Sequence, residues 1–111
     1  MAKHLLKTIN LSIFIFLLTK SLISSDIPVG QLVDFTGPTS SVGRPFGQGH
    51  IDAIKWINKN GGINNKKIRL DTVDYSYKAP RAVATYKRWK SRLKVITVIG
   101  WGTADTEALM G

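Results

Sequence analysis

The stretch NKNGGINNKKI, residues 58–68, decides the fold, because it ends a helical pattern of apolar residues and starts a strand at once. Gly61 stands where a helix needs a left-handed C′ residue, which glycine adopts without a Cβ clash. Gly62 allows the chain to reverse, and Asn64-Asn65 suits a tight turn because asparagine tolerates the left-handed region. The stretch therefore predicts a reversal from helix to strand.

Upstream of this reversal the sequence predicts a strand, a loop and a helix. The apolar run VGQLVDF (29–35) follows Pro28 and is typical of a buried strand. Residues 36–45 are rich in Gly, Pro, Ser and Thr and predict a loop. A helix then continues to about Asn60, because isoleucines recur in it at threefold spacing.

Downstream the same pattern repeats. Residues 66–75 alternate as a strand, Pro80 suits the first turn of a second helix, and 95–100 (VITVIG) is almost wholly apolar. Such a run is expected at the centre of a parallel sheet that is covered on both faces. Residues 102–110 begin a third helix. The sequence predicts an α/β fold, an open parallel βαβαβ sheet with right-handed crossovers.

Ligands in open parallel sheets bind beyond the carboxyl ends of the strands, where the strand order reverses. If the strands lie in the order 2-1-3, that crevice falls between the first and third strands, and residues 35–46 and 100–106 face it. Both loops offer backbone N–H groups and hydroxyls to a small polar ligand. Thr103, Asp105 and Thr106 are also good N-cap residues, so a structural role competes with ligand contact at these positions.

The first 25 residues are typical of a secretory signal peptide. Lys3 and Lys7 precede an apolar run from Leu11 to Leu18, which is too short for a membrane span, and small residues follow. The predicted mature domain is 26–111. The chain has no cysteine, which excludes a disulfide scaffold and a thiol for lipid attachment. We expect a periplasmic protein without a lipid anchor.

The chain carries a formal charge of +9, and after the predicted signal peptide most of the excess lies in residues 78–94. Such a run is compatible with a basic module that binds an anionic surface through Lys87–Lys94, or with a solvated helix face. The solvated face is favoured, and no nucleic-acid partner is expected, because export would separate the chain from nucleic acid.

Catalytic patterns are weak in this sequence. GRPFGQG (43–49) does not have the spacing of a phosphate-binding loop, and His50 has no neighbouring ligand that would suggest a metal site. Asp34 and Asp74 at strand ends resemble the acid pocket of a signalling receiver domain, which an exported chain would not need. We expect no enzyme activity, cofactor or metal, and a flavodoxin-like enzyme fragment stays as an alternative.

Residues 27–111, with the run 29–75 as the main match, resemble the opening of periplasmic leucine/branched-chain amino-acid-binding proteins, the solute receptors of ABC importers. The matching pieces are TGP (36–38), NGGI (60–63), Asp74 and VIGWGT (98–103). The resemblance implies two α/β lobes that close on an amino acid or a related amide or acid, with an ABC permease as partner and as the only link to the membrane. The chain would supply the first half of the N-terminal lobe, a fragment that does not bind well alone.

The resemblance also implies which residues contact the ligand. These are Ser41 and Val42 in the first loop, and Thr103, Ala104 and Asp105 after the third strand. Val42 lacks the usual aromatic platform, and Ala104 lacks the usual hydroxyl. Asp105 places a negative charge where an amino-acid carboxylate is expected, so short amides or urea are expected at least as much as branched-chain amino acids.

Overall fold

The computed structural model describes residues 25–111, and the predicted signal peptide lies outside them except for Ser25. Strands and helices alternate throughout, and a π-helical turn, Trp89–Leu93, extends the second helix. The elements are β1 (Ile27–Val33), α1 (Ser40–Lys59), β2 (Ile68–Asp74), α2 (Ala79–Arg88), β3 (Thr97–Ile99) and α3 (Thr103–Leu109).

The three strands form one sheet in the order β2-β1-β3, and both pairings are parallel. In the centre of the sheet, Val29 of β1 lies between Leu70 of β2 and Thr97 of β3. The predicted α/β class, strand order and parallel direction are confirmed. Within the described residues β1 lies between the other two strands, and β3 pairs with β1 alone; Ile96, just before β3, is 70% exposed. A central place for the third strand in a larger sheet stays a prediction. The apolar run indicates a buried strand but not which strands border it.

The helix-to-strand reversal is confirmed. Gly61 and Gly62 have φ angles of 104° and 77°, and the Gly62 N–H donates to the Ile57 carbonyl at 2.9 Å. This is the 6→1 bond of a Schellman motif, which closes the last turn of α1. Asn64 and Asn65 follow with φ angles of 50° and 63°, so all four residues lie in the left-handed region. The reversal therefore depends on residue types that adopt this region at little cost.

The predicted loop 36–45 is wrong in its second half, because α1 begins at Ser40 and includes Pro45. Pro45 lies in the second helical turn, so the backbone hydrogen bond that it removes is close to the N-terminal end of the helix. Gly43 is buried, and a Cβ on it would lie 2.1 Å from the Asp34 carbonyl oxygen. The composition that predicts a loop instead allows the first turns of α1 to approach the chain that leaves β1.

The core lies where α2 covers the sheet. Its fully buried residues are Leu32, Tyr75, Ala82 and Trp89. The Trp89 ring covers Gly30 of β1, where a Cβ would lie 2.6 Å from the indole, and its N–H donates to the Asp71 carboxylate. This packing fixes α2 across β1 and β2. None of the helices in residues 25–111 has the length and hydropathy that crossing a membrane requires.

Candidate functional site at the strand ends

Two loops lie side by side at the carboxyl edge of the sheet. One follows β1 and leads into α1 at Ser40, and the other follows β3 and leads into α3 at Thr103. Because β1 and β3 are adjacent and parallel, their carboxyl ends meet at the same edge. We call residues 34–42 loop A and residues 100–105 loop B, and each name includes the first three residues of the helix that follows. The two loops overlap the segments 35–46 and 100–106, which the strand order predicts to face a ligand.

Loop A is organised by Asp34, whose side chain is fully buried at the end of β1. One carboxylate oxygen accepts from the Gly37 N–H, and the other accepts from the Thr39 N–H at 2.8 Å and the Thr39 hydroxyl at 2.7 Å. Burial alone would raise the pKa of Asp34, but the hydrogen bonds from Thr39 and Gly37 outweigh it and leave the pKa below its ordinary value. The charged carboxylate therefore fixes the turn.

A second strand-end carboxylate supports the same loop from β2. Asp74 accepts from the backbone N–H groups of Phe35 and Ser76, each at 3.0 Å, and from the Thr36 hydroxyl. Burial raises the pKa of Asp74, and the bonds from Thr36, Phe35 and Ser76 lower it further than burial raises it. The acid pair at the strand ends is thus used to hold loop A.

Loop B is organised by Asp105, which is 1% exposed. Its Oδ1 accepts from the Tyr75 hydroxyl at 2.6 Å and the Gly102 N–H at 2.8 Å, and its Oδ2 accepts from the Trp101 N–H at 2.9 Å. Asp105 is the third residue of α3, so its bond to Gly102 is the half of a capping box that the N3 side chain supplies. Burial and the bond to Asp105 both raise the pKa of Tyr75.

A side-chain contact joins the two loops. The Trp101 Nε1–H donates to the Thr39 hydroxyl oxygen at 2.8 Å, and the Trp101 ring packs on Phe46 of α1 with 4.9 Å between ring centroids. Phe46 in turn makes an edge-to-face contact with His50 one helical turn further, with 4.4 Å between ring centroids. Thr39, Phe46 and Trp101 lie within the predicted segments 35–46 and 100–106, but they were not singled out as site residues from the sequence. The available signal was a tryptophan two residues after the end of β3.

The structure places the predicted contact residues on these loops in different degrees of exposure. Ser41 and Thr103 are exposed in the first turns of α1 and α3, and Val42 is 61% exposed. Ala104 is half-buried. Asp105 is buried, and both of its oxygens accept hydrogen bonds from the chain itself. Ligand contact by all five residues stays a prediction, and for Asp105 it would require the exchange of an internal hydrogen bond for one to the ligand.

Two concavities lie beside loop B, on the side of α2. These concavities have volumes of about 260 and 290 Å³, lie between α2 and α3, and share Tyr86 and Leu109 as lining residues. The smaller one also reaches Gly100 and Asp105. Both are small and open, and their lining is mainly apolar. At the strand-end edge, Ser41 and Thr103 present exposed hydroxyls, as one wall of a cleft would. Among residues 25–111 no group of three His, Cys, Asp or Glu side chains could hold a metal ion.

The basic run is exposed along α2 and its π-helical turn. Arg88 pairs with Asp71 at 3.2 Å, and both side chains are substantially exposed. Lys87 and Lys90 are exposed and border the 290 Å³ concavity. Exposed pairs of this kind contribute little to stability. The arrangement has the features expected of a solvated helix face, and binding of an anionic surface stays an alternative prediction.

Comparison with known proteins gives a family match over the whole described domain. The family described as periplasmic binding protein matches residues 26–111. An amino acid binding protein from Pseudomonas aeruginosa is 34% identical over 76 residues, which cover 68% of this chain and 20% of that protein. The chain therefore spans about a fifth of the length of this curated relative.

Solved structures agree with this match. An ABC transporter substrate-binding protein from Aeropyrum pernix is 43% identical with a TM-score of 0.72, over 78% of this chain and 23% of that one. The branched-chain amino acid substrate-binding protein LivJ from Streptococcus pneumoniae, in complex with isoleucine, is 25% identical with a TM-score of 0.70. That alignment covers 75% of this chain and 24% of LivJ.

Proposed function

The chain belongs to the periplasmic binding protein family, as its sequence resemblance indicated, and on that premise we propose that residues 26–111 form one wall of the solute cleft of an ABC importer receptor. The observation that carries this proposal is the meeting of loops A and B at the carboxyl edge of adjacent parallel strands, joined by the Trp101–Thr39 hydrogen bond. Such an edge is where open α/β sheets bind small molecules. The wall recognises its solute and performs no chemistry.

The proposed contacts are the exposed groups on the two loops. Ser41 and Thr103 offer hydroxyls, Val42 offers apolar surface, and Ala104 offers its backbone N–H. Asp105 supports loop B from below and takes part in recognition only if a ligand donor replaces one of its internal donors. Because Val42 and Ala104 are small, the wall leaves room beside the ligand. We propose an amino acid, or a short amide or urea, as the solute.

We propose that the opposite wall of the cleft is formed by polypeptide that corresponds to the remaining four-fifths of the relatives. We further propose that the receptor works outside the cytoplasm, as the family name implies, and that residues 1–25 direct its export to the periplasm. The receptor would meet the membrane only through its permease. N-terminal sequencing of the exported chain is expected to give Asp26 as the first residue, and an intact Met1 would contradict the proposed signal peptide.

A chimera tests the ligand assignment directly. Residues 26–111 would replace the aligned segment of the Pseudomonas aeruginosa relative, and leucine, isoleucine, acetamide and urea would be titrated by calorimetry. Thr103→Val in the chimera is expected to weaken binding of the preferred solute about fivefold to tenfold, the factor for one lost hydrogen bond of about 1 kcal/mol or slightly more.

The matched control is Thr97→Val, the same chemical change at an exposed position of β3 away from the loops. It is expected to leave the affinity unchanged. If the chimera folds and binds none of the four solutes, or if the Thr103 and Thr97 variants behave alike, the proposed wall is wrong.

A further inference from the structure

Trp101 is the residue at which the hydrogen-bond networks of the two loops meet. Its side chain bonds to loop A through the Thr39 hydroxyl, and its backbone N–H bonds to Asp105, which organises loop B. Its ring also rests on Phe46 of α1. One residue therefore contacts the first loop, the helix that follows it, and the carboxylate at the start of α3.

The direction of the bonds to loop A is fixed by chemistry. The indole N–H can only donate, and the Asp34 carboxylate can only accept. Thr39 therefore gives its single hydroxyl proton to Asp34 at 2.7 Å and uses an oxygen lone pair to accept from Trp101 at 2.8 Å. The chain of bonds runs from Trp101 through Thr39 to a buried charge. Bonds in such a chain polarise and strengthen one another.

The second set of bonds fixes the other side of Trp101. Asp105 receives the Trp101 N–H on one oxygen, and the Tyr75 hydroxyl and Gly102 N–H on the other. Tyr75 directly follows β2 and is fully buried. Trp101 is thus held against the sheet through its backbone while its side chain holds loop A. A movement of either loop has to displace it.

We propose that Trp101 is a positioning residue that couples loop B to loop A and sets the spacing between their ligand-facing residues. The ligand part of this proposal rests on the proposed function, whereas the coupling is a property of the chain by itself. Loops that are ordered before a solute arrives lose less conformational entropy on binding it. Trp101 raises affinity through the loops it connects.

Hydrogen exchange of the full chain, followed by ¹⁵N NMR, tests the coupling without a ligand. The variant Trp101→Phe keeps an aromatic ring beside Phe46 and removes the N–H. We expect faster amide exchange at Thr39 in loop A and at Gly102 in loop B by about fivefold, the factor for a net hydrogen-bond contribution of about 1 kcal/mol. Thr39→Val is expected to raise the exchange rate of Gly102 similarly, and Thr39→Ser, which keeps a hydroxyl, is expected to restore it.

Trp56→Phe is the matched control, because Trp56 is 67% exposed on α1 and has no side-chain bond to either loop. It is expected to change neither rate. The indole N–H of Trp101 is expected to exchange at least about tenfold more slowly than that of Trp56 in the parent chain, because only the former donates a hydrogen bond within the protein. Equal indole rates, or a Trp101→Phe variant whose loop A exchanges as in the parent, would overturn the coupling.

The two proposals can fail separately. In the binding chimera, Trp101→Phe is expected to weaken solute affinity about fivefold while Trp56→Phe does not. A chimera that binds no solute, in combination with coupled exchange in the full chain, would reject the proposed function and keep Trp101 as a coupling residue. Solute binding that is insensitive to Trp101→Phe would reject the positioning role and keep the receptor assignment.

Discussion

Replacement of Asp105 by asparagine changes almost no volume but removes a charge that receives three internal hydrogen bonds. The donors are the Tyr75 hydroxyl at 2.6 Å, the Gly102 N–H at 2.8 Å and the Trp101 N–H at 2.9 Å. The asparagine side chain has one oxygen and one NH₂ group, so it cannot accept on both sides. Its better orientation puts the oxygen toward Tyr75 and Gly102 and leaves the NH₂ group facing the Trp101 N–H.

The expected cost follows from these contacts. Two bonds change from charge-assisted to neutral, which loses about 1 kcal/mol each, and one backbone N–H loses its partner at about 1 kcal/mol or more. Asparagine relieves part of the desolvation penalty that the buried charge carries, which offsets a portion of the loss. We therefore expect Asp105→Asn to lower the free energy of unfolding by about 2–3 kcal/mol.

Urea denaturation of the full chain, followed by tryptophan fluorescence, measures this cost. Asp52→Asn is the matched control, because Asp52 is an exposed carboxylate on α1, and it should change stability by less than about 0.5 kcal/mol. A double-mutant cycle with Tyr75→Phe isolates the pair, with an expected coupling of about 1 kcal/mol or more. The assignment of Asp105 as the organiser of loop B is refuted if Asp105→Asn matches its control and the cycle is additive.

Further predictions concern pH, packing and binding. The pKa values of Asp34 and Asp74 lie below the ordinary 3.8. The stability that these carboxylates contribute is therefore complete above about pH 4 and is lost as the pH falls through the lowered values. Urea unfolding midpoints measured between pH 5 and pH 2 will show this loss. The pKa of Tyr75 is raised above its ordinary 10.0, so the stability that its hydroxyl contributes is complete below pH 10 and is lost above it. Tyr75→Phe should therefore reduce the fall of stability with pH in the alkaline range. An identical fall in the parent and the variant would contradict the buried hydroxyl. Gly43→Ala should lower the free energy of unfolding by about 3 kcal/mol or more, because its Cβ would lie 2.1 Å from the Asp34 carbonyl oxygen. Gly49→Ala, whose Cβ would have nothing within 4 Å, should stabilise α1 by about 0.5–1 kcal/mol. Equal effects of the two variants in thermal melts would refute the close approach at Gly43. The 111-residue chain alone should bind leucine or acetamide too weakly for calorimetry, and micromolar binding would show that one wall is sufficient.

Local rules were enough for the parts of the fold that depend on local conformation. Gly61 and Asn64 fixed the reversal because few other residues adopt the left-handed region, and alternating patterns located β1 and β2 within about two residues. The start of α1 was missed because Gly43 and Pro45 have turn chemistry in most settings. Here Gly43 serves a contact with Asp34, and only the packing of α1 against the chain leaving β1 makes that use visible.

The position of the candidate site in the fold could be predicted from the sequence, but its side-chain contacts could not. Strand order alone put loops A and B at one edge, since that inference needs only topology. The bond from Trp101 to Thr39 joins residues 62 positions apart, and it depends on the register of β3 against β1 and on the rotamer of a half-buried ring. Neither the strand register nor the rotamer produces a periodic pattern in the sequence from which it could be predicted. Position in the fold can therefore be deduced before any side-chain partner can.

Asp105 shows why the distinction matters for ligand choice. From sequence, a carboxylate at the start of α3 suggests selection of an amide or amine donor over a carboxylate. In the structure both of its oxygens already accept from the chain, and the residue is 1% exposed. A ligand donor would have to compete with Tyr75, Gly102 or Trp101 for the same lone pairs, and each displaced donor would need a new partner. Selectivity for amides through Asp105 thus requires that loop B opens, whereas selectivity through the exposed Thr103 hydroxyl does not.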